Sequence, residues 1–252
     1  MIPWRWFNQL FVASVFFTAL MPWSTVAATS DTADFYTAYS NGQDKTVVNN
    51  SLRQALESNK PLLLILGANW CHDSRALASY FDDTHVQQAS QAFEVLPLNV
   101  GYLEDKSSVL TQFGYPAYFA TPTVLVIDPA SKTVLNRDSL VIWQSAHNES
   151  ATALTDYLSG MASTWKAYSG SNETTGQLRD FELNQATTLY SHYQHLGELL
   201  RKKDEGQNTP TLNPKWNEVK AFRVQLQQDL IRFHHNNEIV MPLPEYPAIL
   251  WE

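Results

Sequence analysis

The stretch Gly67-Ala68-Asn69-Trp70-Cys71-His72-Asp73-Ser74 carries the only cysteine of a 252-residue chain. Just upstream, Pro61-Leu62-Leu63-Leu64-Ile65-Leu66 is a short apolar run that stops at Gly67; just downstream, Leu77, Tyr80 and Phe81 have helical spacing. A buried strand, a glycine turn and a helix start put the Cys71 sulfur at a helix N-terminus. Unpartnered backbone N–H groups and the positive end of the helix dipole favour a thiolate there by about 0.3–1 kcal/mol. His72 adds to this when protonated, and Asp73 opposes it. The implied chemistry is nucleophilic attack on sulfur. Ser74 stands where a second thiol would be needed to clear the resulting mixed disulfide, and a hydroxyl does not attack sulfur in that way. An external thiol must therefore release whatever Cys71 captures. The competing reading makes Cys71 a small buried hydrophobe that does not react.

The elements that would hold this thiol are legible on either side. Residues 51–57 combine a helix cap with helical spacing. Residues 84–92 offer another helical turn or two, and Asp82-Asp83 reads as a solvated loop with a helix cap. Phe93 to Val100 is a second strand candidate, weakened by Pro97. Residues 106–113 read as a helix closed by Gly114. Thr123-Val124-Leu125-Val126-Ile127-Asp128 is a third strand, turned by Pro129 to Lys132 so that residues 133–135 return antiparallel to it. Leu154, Tyr157, Leu158, Met161, Trp165 and Tyr168 trace one helix face.

Polar residues 169–176 read as a linker. Two more amphipathic stripes follow, Leu189/Tyr193/Leu196/Leu200 and Trp216/Val219/Phe222/Leu226/Leu230/Phe233. They imply a pair of antiparallel helices whose apolar faces bury against each other and the sheet domain. The last residues, from Met241, contain three prolines and read as extended.

Composition limits the partners. The formal charge is −8 with no long Lys/Arg run, which excludes ordinary nucleic-acid binding. Residues 1–28 hold one charge, Arg5, ahead of an apolar core and the small residues Ala27 and Ala28. This is the pattern of an export signal, and the apolar run is short against the roughly 20 residues of a membrane span. The expected location is the bacterial periplasm; the alternative is anchorage to the inner membrane by an uncleaved N-terminal segment, the one route to membrane contact. Export implies an oxidising compartment, yet a single cysteine permits no internal disulfide.

Trp70-Cys71-His72-Asp73-Ser74 resembles the W-C-x-x-C motif of the thioredoxin-like superfamily, in a C-x-x-S variant. Thr121-Pro122-Thr123, opening a strand some fifty residues later, resembles that family's cis-proline loop. The run PLLLILGANWC…YFDDTHVQQAS…FEVLPLNV…LTQFGYPAYFATPTVLVID is most similar to the C-terminal domain of the periplasmic transmembrane disulfide reductase. The resemblance covers residues 51–161. It implies an α/β fold, a thioredoxin-like central mixed sheet flanked by helices, here with a C-terminal α-helical extension. The expected organisation is a signal peptide at 1–28, a surface lead-in at 29–50, a thioredoxin-like domain at 51–168, and a helical hairpin with an extended tail at 177–252.

The resemblance assigns Cys71 and Ser74 to the catalytic positions and Trp70, His72, Thr121 and Pro122 to substrate binding. Three departures stand out. Ser74 replaces the resolving cysteine, Ile65 stands where thioredoxins proper have a buried Asp, and Tyr115 to Ala120 lengthens the approach to the proline with aromatics that could cover or widen the groove.

The functional expectation is an exported thioredoxin-like protein whose Cys71 forms mixed disulfides with protein or small-molecule thiols and disulfides, as a monothiol-type oxidoreductase or isomerase. The alternative is a redox-silent binding module that grips a peptide or protein partner around Trp70, Tyr115, Tyr118 and Thr121-Pro122. No cofactor or metal is expected. Exported thioredoxin-like copper proteins generally use two cysteines and a distant histidine. His234-His235 point about 100° apart on a helix and read as a solvated helix end.

Overall fold

A computed structural model describes residues 35–39, 42–170, 176–236 and 241–251. The expected signal peptide, residues 1–28, lies outside the described residues, as does the centre of the expected linker, 171–175. No helix among the described residues is long and apolar enough to cross a membrane.

The sheet has four strands, β1 (Leu62–Gly67), β2 (Glu94–Asn99), β3 (Thr123–Asp128) and β4 (Thr133–Val134), in the order β2-β1-β3-β4. β2 runs parallel to β1, while β3 is antiparallel to β1 and β4 to β3. Pro97 sits in β2 opposite Ile65, on a strand with only one full-length neighbour, where a missing N–H is tolerated.

The unbroken apolar run in β1 follows from burial on both faces. Alternate residues of a strand point to opposite sides. Leu62, Leu64 and Leu66 therefore join one core layer with Leu125 and Ile127 of β3, and Leu63 and Ile65 join a second with Val124 and Val126. The first layer is completed by α1 (Asp44–Ser58), α4 (Ser107–Leu110) and the long helices α6 (Gly176–Asp204) and α7 (Leu212–Asn236). The second takes α2 (His72–Tyr80), α3 (Thr84–Ser90) and α5 (Ala151–Ala167), through residues such as Leu77, Val86, Leu154 and Leu158. Asp83 caps α3 by accepting the His85 and Val86 N–H groups.

Two parts of the expected lead-in are structural. α1 begins at Asp44 rather than near Ser51, which lies buried inside the helix; Val48, Ser51, Leu52 and Ala55 form its inward face. Tyr36 is buried, and Thr37 bridges to Leu98 alongside β2. The segment is therefore not a surface approach. Among its described residues Tyr36 and Val48 carry the packing, and Asp44 pairs with the buried Lys106 at 2.7 Å.

The two C-terminal helices pair as expected. Phe181 meets Phe233, Glu182 meets His234, His192 meets Phe222, and Tyr193 meets Arg223. Partner numbers rise on α6 as they fall on α7, so the helices are antiparallel. Their shared face continues into the sheet core: Leu189, Tyr193, Leu226 and Phe233 belong to the same apolar cluster as Leu64 and Leu125. His234 departs from the expected solvated end. Its side chain is 12 % exposed and its Nε2 lies 2.6 Å from Oε1 of the buried Glu182. Arg137 joins this junction through Glu182 and through the Gly114 carbonyl. The tail is irregular and lies on the helical pair, with Tyr246 donating to Asp229 and the Trp251 indole donating to His192.

Candidate functional site

Cys71 caps α2. Its backbone is extended (φ −82°, ψ 125°), and its carbonyl accepts the first helical bond from Arg75 N–H at 3.1 Å. Gly67 lets the chain leave β1 beneath Tyr36, since a Cβ there would lie 2.2 Å from the Tyr36 ring. The Tyr36 hydroxyl crosses to donate to the Ser74 carbonyl at 2.9 Å. Burial pushes that phenol well above its ordinary pKa, so it acts as a neutral donor. The first turn of α2 is thus braced from a segment well upstream.

Cys71 is half-buried, and its sulfur donates to the Thr121 carbonyl at 3.0 Å. The Thr121–Pro122 peptide is cis, and both residues are buried at the start of β3. Ser74 has no exposed surface, and its hydroxyl accepts the Ala68 N–H at 3.3 Å. It braces the turn before Cys71.

Trp70 is partly buried and packs against the first core layer. Its indole N–H donates to the Gly101 carbonyl at 2.8 Å, and its ring meets Trp216 of α7 edge to face at 6.2 Å. The appended helices therefore reach the residue next to the thiol. His72 is exposed, with its ring 4.7 Å from that of His147. Asp73 Oδ1 pairs with Nδ1 of His147 at 2.5 Å and accepts its backbone N–H at 3.2 Å.

The aromatics before the proline neither cover nor widen a groove. Tyr115, Tyr118 and Phe119 are buried. Tyr118 packs against Tyr190 and Tyr193, and the Tyr193 hydroxyl donates to the Tyr118 carbonyl at 3.1 Å. Their role is to seat α6, so the peptide-gripping surface expected to include Tyr115 and Tyr118 is not available. His147 was not singled out from the sequence. It lies 74 positions from Asp73 on a short 3₁₀ segment, Ile142–Asn148, and no local pattern links the two.

Residues 45–129 match a family model described as thioredoxin-like, about a third of the chain. No curated protein matches the sequence. Among solved structures, a disulphide isomerase from Xylella fastidiosa Temecula1 is 25 % identical and aligns over 49 % of this chain and 95 % of its own, with a TM-score of 0.42. With its mixed sheet, its flanking helices and Cys71 set at the head of α2, the matched region has a thioredoxin-like fold, to which the chain adds α6 and α7.

Proposed function

We propose that this chain is an exported protein of thiol–disulfide chemistry in which Cys71 is the sole nucleophile. The observation that carries the reading is the half-buried Cys71 at the start of α2, its sulfur 3.0 Å from the Thr121 carbonyl, with Ser74 buried one helical turn on. The resemblance of residues 51–161 to the reductase C-terminal domain and the export pattern of residues 1–28 support the same assignment.

The Cys71 thiolate attacks one sulfur of a protein or small-molecule disulfide, forming a mixed disulfide at Cys71 and expelling the other sulfur as a thiolate, which takes up a proton. An external thiolate then attacks that mixed disulfide. It forms a new disulfide with the bound fragment and returns Cys71 as the leaving thiolate. With an external thiol carrying both electrons, the chain ends unchanged. Thr121 and Pro122 flank the sulfur and line the path of the incoming disulfide, His72 borders it on the exposed side, and Trp70 and Ser74 hold the turn.

The test is reaction of the folded protein with an aromatic disulfide reagent, followed by mass spectrometry. One mixed disulfide per chain should form without denaturant, disappear on adding a small thiol, and be absent in Cys71→Ser. A Cys71 that reacts only after denaturation overturns the proposal.

A further inference from the structure

We propose that His72, Asp73 and His147 form a binding site for one divalent transition-metal ion of the zinc, nickel or copper(II) type. Each of the three offers a ligand atom, and these atoms lie within 4.8 Å of one another. An ion with bonds of about 2.0–2.2 Å to nitrogen and oxygen holds tetrahedral ligand atoms roughly 3.3–3.5 Å apart. Small rotations of two exposed imidazoles close that difference. Two imidazoles and a carboxylate suit these borderline ions, whereas magnesium and calcium prefer all-oxygen sets.

The ligands sit on two braced segments. His72 and Asp73 open α2, whose first turn is tied down by the Cys71 N–H to Ala68 carbonyl bond and by the Tyr36 hydroxyl. His147 lies beside the buried Trp143 and Ala146, and the Tyr80 hydroxyl of α2 sits 2.6 and 2.7 Å from the Ala146 and Glu149 carbonyl oxygens, donating its one proton to either. The same helix therefore positions both halves of the site. His147 Nδ1 and Asp73 Oδ1, 2.5 Å apart, share a proton that the ion would replace as the two ligand atoms separate by about 1 Å, with a nitrogen of His72 as the third donor. Exposure leaves further positions to water, the arrangement of an open rather than a closed site.

Cys71 is the sequence neighbour of His72 but is not one of the three, and its sulfur is engaged with Thr121. Metal binding therefore does not require the thiol.

Untagged protein is titrated calorimetrically with zinc, nickel and copper(II) salts separately. One equivalent should bind to the wild type. His72→Ala and His147→Ala should each weaken binding by about 10–100-fold, Cys71→Ser and His195→Ala by less than about threefold. Both histidines are on the surface, so thermal midpoints should match the wild type. Equal affinity in the His72→Ala/His147→Ala double variant, loss of binding in Cys71→Ser, or no binding by the wild type at 100 µM total metal (about a hundred times a micromolar dissociation constant) overturns the proposal.

Discussion

Gly197 lies in the interior of α6, where alanine is ordinarily the better residue. Replacing an interior helical glycine gains about 0.8–1 kcal/mol from helix propensity. Here a Cβ would sit 2.0 Å from the Tyr102 carbonyl oxygen, roughly 1.4 Å short of the 3.4 Å at which ordinary contact begins. The obstacle is backbone, so no side-chain rotation relieves it. α6 must shift bodily against the 101–103 turn, disturbing the seating of Tyr190 and Tyr193 on Tyr118. Overpacking of this kind costs typically about 1–3 kcal/mol, and a backbone clash belongs at the upper end. Subtracting the propensity gain, Gly197→Ala should destabilise by about 1–2 kcal/mol. Gly160 supplies the matched control. It is exposed in α5 with nothing within 4 Å of an added Cβ, so Gly160→Ala should stabilise by roughly 0.5–1 kcal/mol. Denaturant unfolding of the two variants beside the wild type reads both signs. If Gly197→Ala proves as stable as Gly160→Ala, α6 does not pack against Tyr102 as described.

Two other substitutions test links around the site. Trp216→Ala removes the edge-to-face contact with Trp70 and the Arg223 guanidinium stacked 5.4 Å above Trp216. It should cost about 1–3 kcal/mol and speed the reaction of Cys71 with a disulfide reagent several-fold, because Trp70 loses its outer support; an unchanged rate would separate α7 from the thiol. Asp128 ends β3 and links it to α5. Burial acts to raise its pKa, but the Ser131 hydroxyl and N–H and the Trp165 indole N–H outweigh that and hold the carboxyl below its ordinary value. A depressed carboxyl contributes stability that is complete above its unfolded pKa of about 3.9 and lost as pH falls through the folded value. Unfolding free energy should therefore drop on acidification below about pH 4, and Asp128→Asn should flatten that part of the profile; an identical slope in the variant would rule the link out.

The sheet and the thiol's place in it were legible because both leave local marks. A strand buried on two faces shows as the run from Leu62 to Leu66, and the glycine and helix start after it fix where Cys71 falls. Helical stripes likewise announced α6 and α7. What stayed hidden depends on partners distant in sequence. Tyr118 reads as a groove aromatic until α6 supplies Tyr190 and Tyr193 to bury it, and Tyr115 does so until Phe119 and the Arg137 guanidinium meet its ring. His234 reads as a helix end until Glu182 appears beneath it. The start of α1 was the exception, for Val48, Ser51, Leu52 and Ala55 carry a helical period that the polar residues between them obscure.

These distant pairings determine how a disulfide could approach on the proposed chemistry. Trp70 belongs to the first core layer and its outer edge is taken by Trp216, so α7 closes that flank. Thr121, Pro122 and Ser74 are buried, whereas His72, next to the thiol in sequence, is exposed and faces His147 with the rings 4.7 Å apart. On the proposed chemistry, a partner approaching past His72 meets the two imidazoles and the Asp73 carboxylate, the same groups proposed to hold a metal ion. Occupancy of that site would put an ion with its bound water beside that approach. Zinc should accordingly slow capture of a bulky protein disulfide more than that of a small one, and His147→Ala should abolish the difference; equal slowing of both substrates would place the ion away from the path.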